Sequence, residues 1–318
     1  MAPSPNIERA VNSITIFDEA VSDSYHEAVS NVRKAIAKDD LSGLNSVLFS
    51  VLDILKGRAY LSWYKEHKLL SFSEFNYTCA IIERMRFQIR QTYTESGEFD
   101  SLLTAVLSFD DDILYWHAQY LLPLFNAGED CHALGLPGSA KHLALQIRLA
   151  MARDATLFSS CVDEYFSSEV KYSNKYELDY MFLRALAFGD ARAMSDSISL
   201  LLKPKYLKKR SLSGTSPWSD DVRQLFSGWA VLYIRLANYY GYSVDVKNEW
   251  VPDAWVNVFN EDVNLEKKSV LDFVDGFDLF MPLMDNPKAW CPNASKFSPR
   301  PKSQPMITPE EIMAGLSE

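Results

Sequence analysis

The chain has 318 residues, of which 47% are hydrophobic and 23% are charged, and its formal net charge at pH 7 is −10. A chain of this length buries roughly 75% of its unfolded surface on folding, so the composition predicts a globular protein that needs no disulfides. The sequence lacks the run of about 20 apolar residues that a membrane helix requires, and residues 1–20 lack the basic flank and apolar run of a secretory signal. We expect a cytoplasmic protein that does not bind a membrane.

The net charge indicates which class of molecule this protein can bind, and the cysteines indicate whether it forms disulfides. An acidic protein is poorly suited to bind nucleic acid directly and is well suited to a basic protein partner. The four cysteines are too few and too scattered for a disulfide scaffold, so we expect reduced thiols. They are Cys79, Cys131, Cys161 and Cys291.

Helical periodicity is the dominant pattern of the chain. Apolar residues recur at spacings of three and four, whereas strict alternation is scarce, which predicts an all-α fold. Residues 71–94 show the pattern clearly. Ser71 and Glu74 have the spacing of a capping box, in which each side chain satisfies a free backbone N–H at the start of a helix. The sequence therefore predicts a helix with Ser71 as its N-cap.

Two later helices are predicted by similar signals. Asn174 and Glu177 repeat the capping-box spacing before an apolar run that ends at Phe188. Residues 216–240 form another long periodic stretch, and Gly241 follows it, where a glycine commonly ends a helix.

The residues after this helix predict a different local structure. A short extended segment is expected near 242–247, with Val244 and Val246 facing the same way. Pro252 should end this segment and start the next short helix at Asp253.

Aspartates mark several junctions between helical runs. Two junctions can be aligned on Asp154 and Asp190, and looser versions occur at Asp40 and Asp110. An aspartate suits such a junction because its carboxylate caps the following helix and interacts favourably with the helix dipole. The pattern predicts an irregular bundle or a short stack of antiparallel helical hairpins, with a regular solenoid as the alternative.

The breaks in the helical pattern suggest how the chain is divided. Residues 127–139 contain three glycines and a proline and separate two helical regions. We predict an N-terminal helical region at 1–126, a C-terminal helical region at 140–290 and a tail at 292–318 that is rich in proline and serine and ends in a short helix.

The search for catalytic or metal-binding motifs finds little. A nucleophile elbow, a phosphate-binding loop and a dinucleotide fingerprint are all absent from the sequence. Cys131, His132 and His142 lack the tight spacing of a zinc site, and His117 is expected in the core. The sequence predicts no metal, no cofactor and no enzyme. An enzyme with a site assembled from distant residues remains the alternative.

The C-terminal half shows a family resemblance. A helix ends in a turn of small and acidic residues at 187–191, an alanine-rich helix follows at 226–240, and Gly241, an extended stretch and Pro252 complete the pattern. This pattern resembles the Immunity-49 family of bacterial polymorphic-toxin immunity proteins. The PoNi immunity family, whose members are partners of secreted DNases, is similar enough to be an alternative. The resemblance covers about 140–256.

The resemblance implies a protein that binds and neutralises a cognate toxin in interbacterial competition, with delivery by a type VI or related secretion route. Inhibition would come from blocking the active site or substrate groove of the toxin. An acidic surface suits this role because a nuclease groove that holds phosphates is basic. A helical-repeat adaptor that binds a peptide or protein is the alternative function.

The candidate partner-binding residues are carboxylates that cluster in the sequence and one tryptophan that we expect to be solvent-accessible. The carboxylates would mimic phosphates, and the tryptophan would be a buried anchor in the complex. Helix capping alone also explains the aspartate triplet. The candidates are Asp110, Asp111, Asp112, Glu129, Asp130, Asp220, Asp221, Asp253 and Trp255.

Overall fold

The computed structural model of the chain describes residues 5–38, 40–90, 95–119, 137–153, 155–169, 174–207 and 224–256. Of these residues 77% are helical, and none of them forms a strand or sheet. The prediction of an all-α fold is therefore confirmed.

In the N-terminal part, helices that are neighbours in sequence pack against each other. Their lengths range from 31 residues in α1 to 9 residues in α5, so the hairpins have no fixed repeat length and form an irregular bundle. They are α1 (Ile7–Ala37), α2 (Leu41–Tyr64), α3 (Leu69–Arg90), α4 (Glu95–Leu107) and α5 (Asp111–Gln119).

The helices of the C-terminal part are shorter. The hairpin of Glu177–Phe188 and Ala191–Leu201 is the most extensively packed pair among them, and the helix Gly228–Tyr239 packs against α4 of the N-terminal part. They are α6 (Ala140–Met151), α7 (Ala155–Ser167), α8 (Glu177–Phe188), α9 (Ala191–Leu201), α10 (Pro204–Leu207), α11 (Gly228–Tyr239) and α12 (Asp253–Val256).

Aspartate capping is confirmed at three of the four predicted junctions, and the fourth, Asp154, lies outside the described residues. In each case one carboxylate oxygen accepts a hydrogen bond from the backbone N–H three positions later, as expected for an N-cap. The distances are 2.9 Å from Asp40 to Gly43, 2.7 Å from Asp110 to Ile113 and 3.0 Å from Asp190 to Ala193.

The two predicted capping boxes are wrong. Helix α3 begins at Leu69, two positions before Ser71, because the backbone N–H of Phe72 already donates to the carbonyl of Lys68. Helix α8 begins at Glu177, and its N-cap is Tyr176, whose side chain caps nothing. Backbone–backbone hydrogen bonds form at both helix starts, and neither Ser71 nor Asn174 is the N-cap.

The structure corrects the start of the third predicted helix and confirms its end. Helix α11 begins at Gly228, because residues 224–227 are not helical and the N–H of Ser227 donates to the carbonyl of Trp250 at 2.8 Å. The predicted stretch 216–240 is therefore not one continuous helix, and its residues 216–223 lie outside the described residues. Gly241 follows the helix with a φ of +81°, a conformation that favours glycine.

The extended segment and the last short helix also agree with the prediction. Residues 242–248 are not helical, and Val244 and Val246 are buried while the residues between and beside them are exposed. Helix α12 begins at Asp253, directly after Pro252.

Side chains from both halves of the chain form one hydrophobic core. Trp255 of α12 connects them: its ring stacks on Phe72 of α3 at 4.5 Å between centroids and also contacts Trp63 of α2 and Phe226. The division near 127–139 stays a prediction, but the regions on either side of it are packed against each other. Within the described ranges, every helix is too short or too polar to cross a bilayer.

Candidate functional site

Among the sequence-predicted contact residues that the structure describes, Asp110 and Trp255 are buried and do not lie on an open surface. Trp255 has an exposed fraction of 0%, so the expectation that it is solvent-accessible is wrong. It is buried because α12 folds back onto α2 and α3 and presses the indole into the core. Asp253, two residues earlier, is exposed.

The aspartate triplet also differs from the prediction, because part of it faces inwards. Asp110 is only 5% exposed and is occupied in capping α5, so it does not lie on an open surface. Asp111 is partly exposed and lies near buried Arg235. Burial lowers the pKa of Arg235 to about 10, and the negative charge of Asp111 has a smaller effect in the opposite direction. The backbone of Asp112 belongs to α5. The remaining candidates, Glu129, Asp130, Asp220 and Asp221, lie outside the described residues.

A groove beside α8 combines a concave surface with exposed apolar side chains. It has a volume of about 490 Å³ and lies between α7, α8 and α9; we call it the α8 groove. Met181 and Phe188 of α8 line it and are 42% and 64% exposed. Phe166 of α7 and Leu200 of α9 line its sides. Large apolar side chains that stay this exposed in a concave surface are typical of a binding site.

The composition of α8 explains why the groove is apolar. The helix has apolar residues around most of its circumference. Tyr180, Leu183 and Leu186 are buried on the side that faces the core. Met181 and Phe188 lie on the opposite side, where neither α7 nor α9 covers them.

The turn between α8 and α9 fixes the end of the groove. Gly189 ends α8 with a φ of +71°, and Asp190 then caps α9. A Cβ on Gly189 would lie 2.7 Å from the hydroxyl of Tyr242, so the extended segment packs directly against this turn. The two-residue connection therefore holds Phe188 at one mouth of the groove.

The charges around the groove are mostly negative. Of the residues that the structure describes there, Glu177, Asp190 and Asp196 line the groove and are exposed, and Arg184 is the one cation. The Arg184 guanidinium carbon lies 4.6 Å from the ring centroid of Phe166 and 5.8 Å from that of Phe188. Among the described residues, no carboxylate forms an ion pair with Arg184.

No protein-family model, curated protein or solved structure matches this chain. The resemblance to the Immunity-49 and PoNi families therefore stays a prediction.

A buried polar cluster lies behind the α8 groove. The hydroxyl of Tyr180 lies 2.9 Å from Nδ1 of His142 and accepts a hydrogen bond from the N–H of Gly138 at 3.2 Å. Gln146 also contacts Nδ1 of His142 at 2.9 Å, and the rings of Tyr165 and Tyr180 stack at 3.6 Å. Burial lowers the pKa of His142 and favours its neutral form.

This cluster is better suited to support the groove than to perform chemistry. His142 and Tyr180 are 2% and 0% exposed, so a substrate cannot reach them without rearrangement. The stacked pair joins α7 to α8 on the core side. The next residue of each helix, Phe166 and Met181, lines the groove. The cluster therefore sets the spacing of the two groove walls.

Other candidate chemical groups in the described residues are buried or scattered. His117 is 1% exposed, as predicted for a core histidine. Cys79 is a free, buried cysteine, and burial raises the pKa of its thiol. Within the described ranges no group of three or more His, Cys, Asp or Glu side chains could hold a metal ion.

The sequence analysis did not find the α8 groove, because it treated Phe188 only as the end of an apolar helical run. A signal was present: Glu177, Met181, Arg184 and Phe188 follow each other at spacings of four, three and four. This is a second helical stripe, and two of its four members are charged. A stripe that mixes charged and large apolar residues is typical of a partly exposed face.

Proposed function

We propose that this protein binds and neutralises a cognate toxin, and that the α8 groove is where it contacts that toxin. The observation that supports the proposal most directly is the groove itself, in which exposed Met181 and Phe188 lie between exposed carboxylates. The expected partner is a basic protein, and a nuclease is the class that best fits an acidic inhibitor.

The groove has the composition of an interface centre. Aromatic residues and methionine are enriched in protein interfaces, and a few central anchors supply most of the binding free energy. Phe188 is well placed for this role because 64% of its side chain is accessible before binding. Covering it would remove a large apolar surface from water.

The carboxylates around the groove favour a basic partner. Glu177, Asp190 and Asp196 outnumber the single cation of the groove, in agreement with the net charge of −10 for the whole chain. Charges at the edge of an interface mainly accelerate association and select the partner. Inhibition then requires only that the bound protein blocks the active site or substrate groove of the toxin.

A helical adaptor that binds a peptide is the second candidate, because an open apolar groove between helices also accepts a peptide segment. The position of the gene separates the two functions. An immunity gene is expected directly beside a toxin gene, whereas an adaptor gene has no such requirement.

The test is co-expression of this protein with the toxin encoded beside its gene, scored by growth and by co-purification. Wild-type protein should restore growth. Phe188→Ser should weaken toxin binding by about 30-fold, because truncation of a central aromatic anchor costs about 2 kcal/mol.

Ile16→Ser is the matched control, because Ile16 is 59% exposed on α1, outside the groove. It should bind like wild type. Equal toxin binding by Phe188→Ser and Ile16→Ser would contradict the assignment of the groove, and failure of the wild-type protein to restore growth would contradict the immunity function.

A further inference from the structure

Arg184 occupies a distinctive position in the α8 groove. It lies on α8 between Met181 and Phe188, so it is at the middle of the apolar surface and not at its edge. It is exposed, and it is the single cation among the described residues that line the groove. A partner that covers Met181 and Phe188 must therefore also cover the guanidinium.

Two aromatic rings hold this guanidinium. Its central carbon lies 4.6 Å from the ring centroid of Phe166 and 5.8 Å from that of Phe188. Cation–π contacts of this kind stabilise an arginine over the face of a ring, but a ring does not accept the hydrogen bonds that the N–H groups at the edge of the guanidinium donate. The five N–H donors of an arginine form a planar fork that matches a carboxylate.

The acidic residues of the groove do not pair with the N–H donors of Arg184. Glu177, Asp190 and Asp196 line the same groove, yet no described carboxylate lies within ion-pair distance of Arg184. One carboxylate oxygen of Asp190 is already engaged in the N-cap of α9. In its described part, the groove therefore presents one unpaired positive charge, on Arg184, and separate negative charges on its carboxylates.

Resting on the function proposed above, we infer that Arg184 determines the specificity of the α8 groove by binding a carboxylate of the partner. The occupant is a segment of the toxin in which an aspartate or glutamate lies beside an apolar anchor and between basic residues. The carboxylate pairs with Arg184, the anchor covers Met181 and Phe188, and the basic residues face Glu177 and Asp196.

The charge pattern favours a carboxylate over a phosphate group. A phosphate carries up to two negative charges, and the three carboxylates of the groove would repel it more strongly than a singly charged side chain. Stacking on Phe166 also orients the guanidinium before binding, so less side-chain freedom is lost when the pair forms.

The first test uses a catalytically inactive form of the toxin encoded beside the gene of this protein, and measures its binding to three variants. Arg184→Glu should weaken binding by at least about tenfold, since truncating one partner of a desolvated charge pair is costly. Arg184→Lys should show a smaller but still measurable loss of affinity, because lysine keeps the positive charge but lacks the planar arrangement of N–H donors.

Arg192→Glu is the matched control. Arg192 is exposed on α9 of the same hairpin but does not line the groove, so the variant makes the same change in net charge at a different place. It should bind within about twofold of wild type. Equal losses in Arg184→Glu and Arg192→Glu would show a general charge effect and overturn the inference.

The second test does not depend on the toxin. A phage-displayed library of random dodecapeptides is selected on wild-type protein and on Arg184→Glu. Wild type should enrich peptides with an acidic residue beside an aromatic or aliphatic one, and Arg184→Glu should enrich a basic residue at that place. Enrichment of the same sequences by both proteins, of phosphate-mimicking acidic runs, or of none would overturn the inference.

The outcomes separate the two proposals. If the wild-type protein does not neutralise the toxin but the peptide preferences change at Arg184, the proposed function fails and the specificity of the groove stands. If neutralisation is unchanged in Arg184→Glu, the function stands and the role of Arg184 fails.

Discussion

At the scale of single residues, Glu74 is a carboxyl group that is almost completely removed from water. It lies within α3 with an exposed fraction of 2%, and neither of its carboxyl oxygens has a hydrogen-bond partner among the described residues. Burial raises its pKa from the usual 4.5 to about 7. The folded protein therefore holds this proton more tightly than the unfolded chain does.

The sign of the effect on stability follows from the direction of this shift. Below the pKa that Glu74 has in the unfolded chain, its carboxyl is protonated in both the folded and the unfolded state and does not lower the free energy of unfolding. As the pH rises towards about 7, ionisation favours the unfolded chain, so the free energy of unfolding falls.

We predict that Glu74→Gln is more stable than wild type at about pH 8 and that its stability varies less between about pH 5 and pH 8. The difference in pH dependence should be about 2 kcal/mol, since one pKa unit corresponds to about 1.4 kcal/mol. Urea unfolding at both pH values measures it. Glu27→Gln, at an exposed position of α1, is the control. Parallel pH profiles for Glu74→Gln and wild type would contradict the prediction.

At the scale of helices, Asp190 has two roles that can be separated. Its carboxylate caps α9 by accepting from the N–H of Ala193 at 3.0 Å, and its charge contributes to the acidic side of the α8 groove. Asparagine is as good an N-cap as aspartate but is neutral. Alanine removes both the cap and the charge.

Asp190→Asn should therefore keep the stability of wild type and lose about two- to fivefold in toxin affinity, as expected for one exposed charge. Asp190→Ala should also lose about 1 kcal/mol of stability. Thermal or urea unfolding measures the first quantity and calorimetric titration with the inactive toxin measures the second. An Asp190→Asn variant that binds as tightly as wild type would show that this charge faces away from the partner.

These caps also show what the sequence could predict. Asp40, Asp110, Asp190 and Gly241 act within one turn of their own backbone, so their roles are visible locally, and the structure confirms them. The start of α11 was predicted wrongly, because a contact between Ser227 and distant Trp250 decides it.

The candidate site was less predictable than the fold. Phe188 is the same residue type as the buried Phe182 six positions earlier in the same helix. Whether a phenylalanine is buried depends on which helix packs over it, and this is a tertiary property. The acidic clusters were visible in the sequence, but the carboxylate of Asp110 caps α5 and is buried.

At the scale of the whole molecule, the packing of α12 joins the C-terminal segment to the N-terminal helices. Trp255 contacts α2 through Trp63 and Tyr64 and α3 through Phe72. Its indole Nε1 has no hydrogen-bond partner among the described residues, so its contribution comes from packing.

Trp255→Ala should lower the free energy of unfolding by about 3–5 kcal/mol, as expected for a large buried aromatic side chain. Trp255→Phe should lose less, because a ring remains to stack on Phe72. Trp250→Ala is the control, since Trp250 is only partly buried, and it should lose less than Trp255→Ala. Urea unfolding followed by circular dichroism measures all three, and equal losses for the two alanine variants would contradict this role of α12.

The contact between Gly189 and Tyr242 has a consequence for how this protein could change partner. The extended segment leaves no space beside the α8–α9 turn, so an inserted residue or a side chain there would collide with the tyrosine hydroxyl. A residue other than glycine at this position would also have to adopt a positive φ, so the turn that closes this end of the groove tolerates substitution poorly. On the function proposed above, we expect a change of partner to involve the side chains that line the α8 groove, such as Met181 and Phe188, while the α8–α9 connection keeps its length.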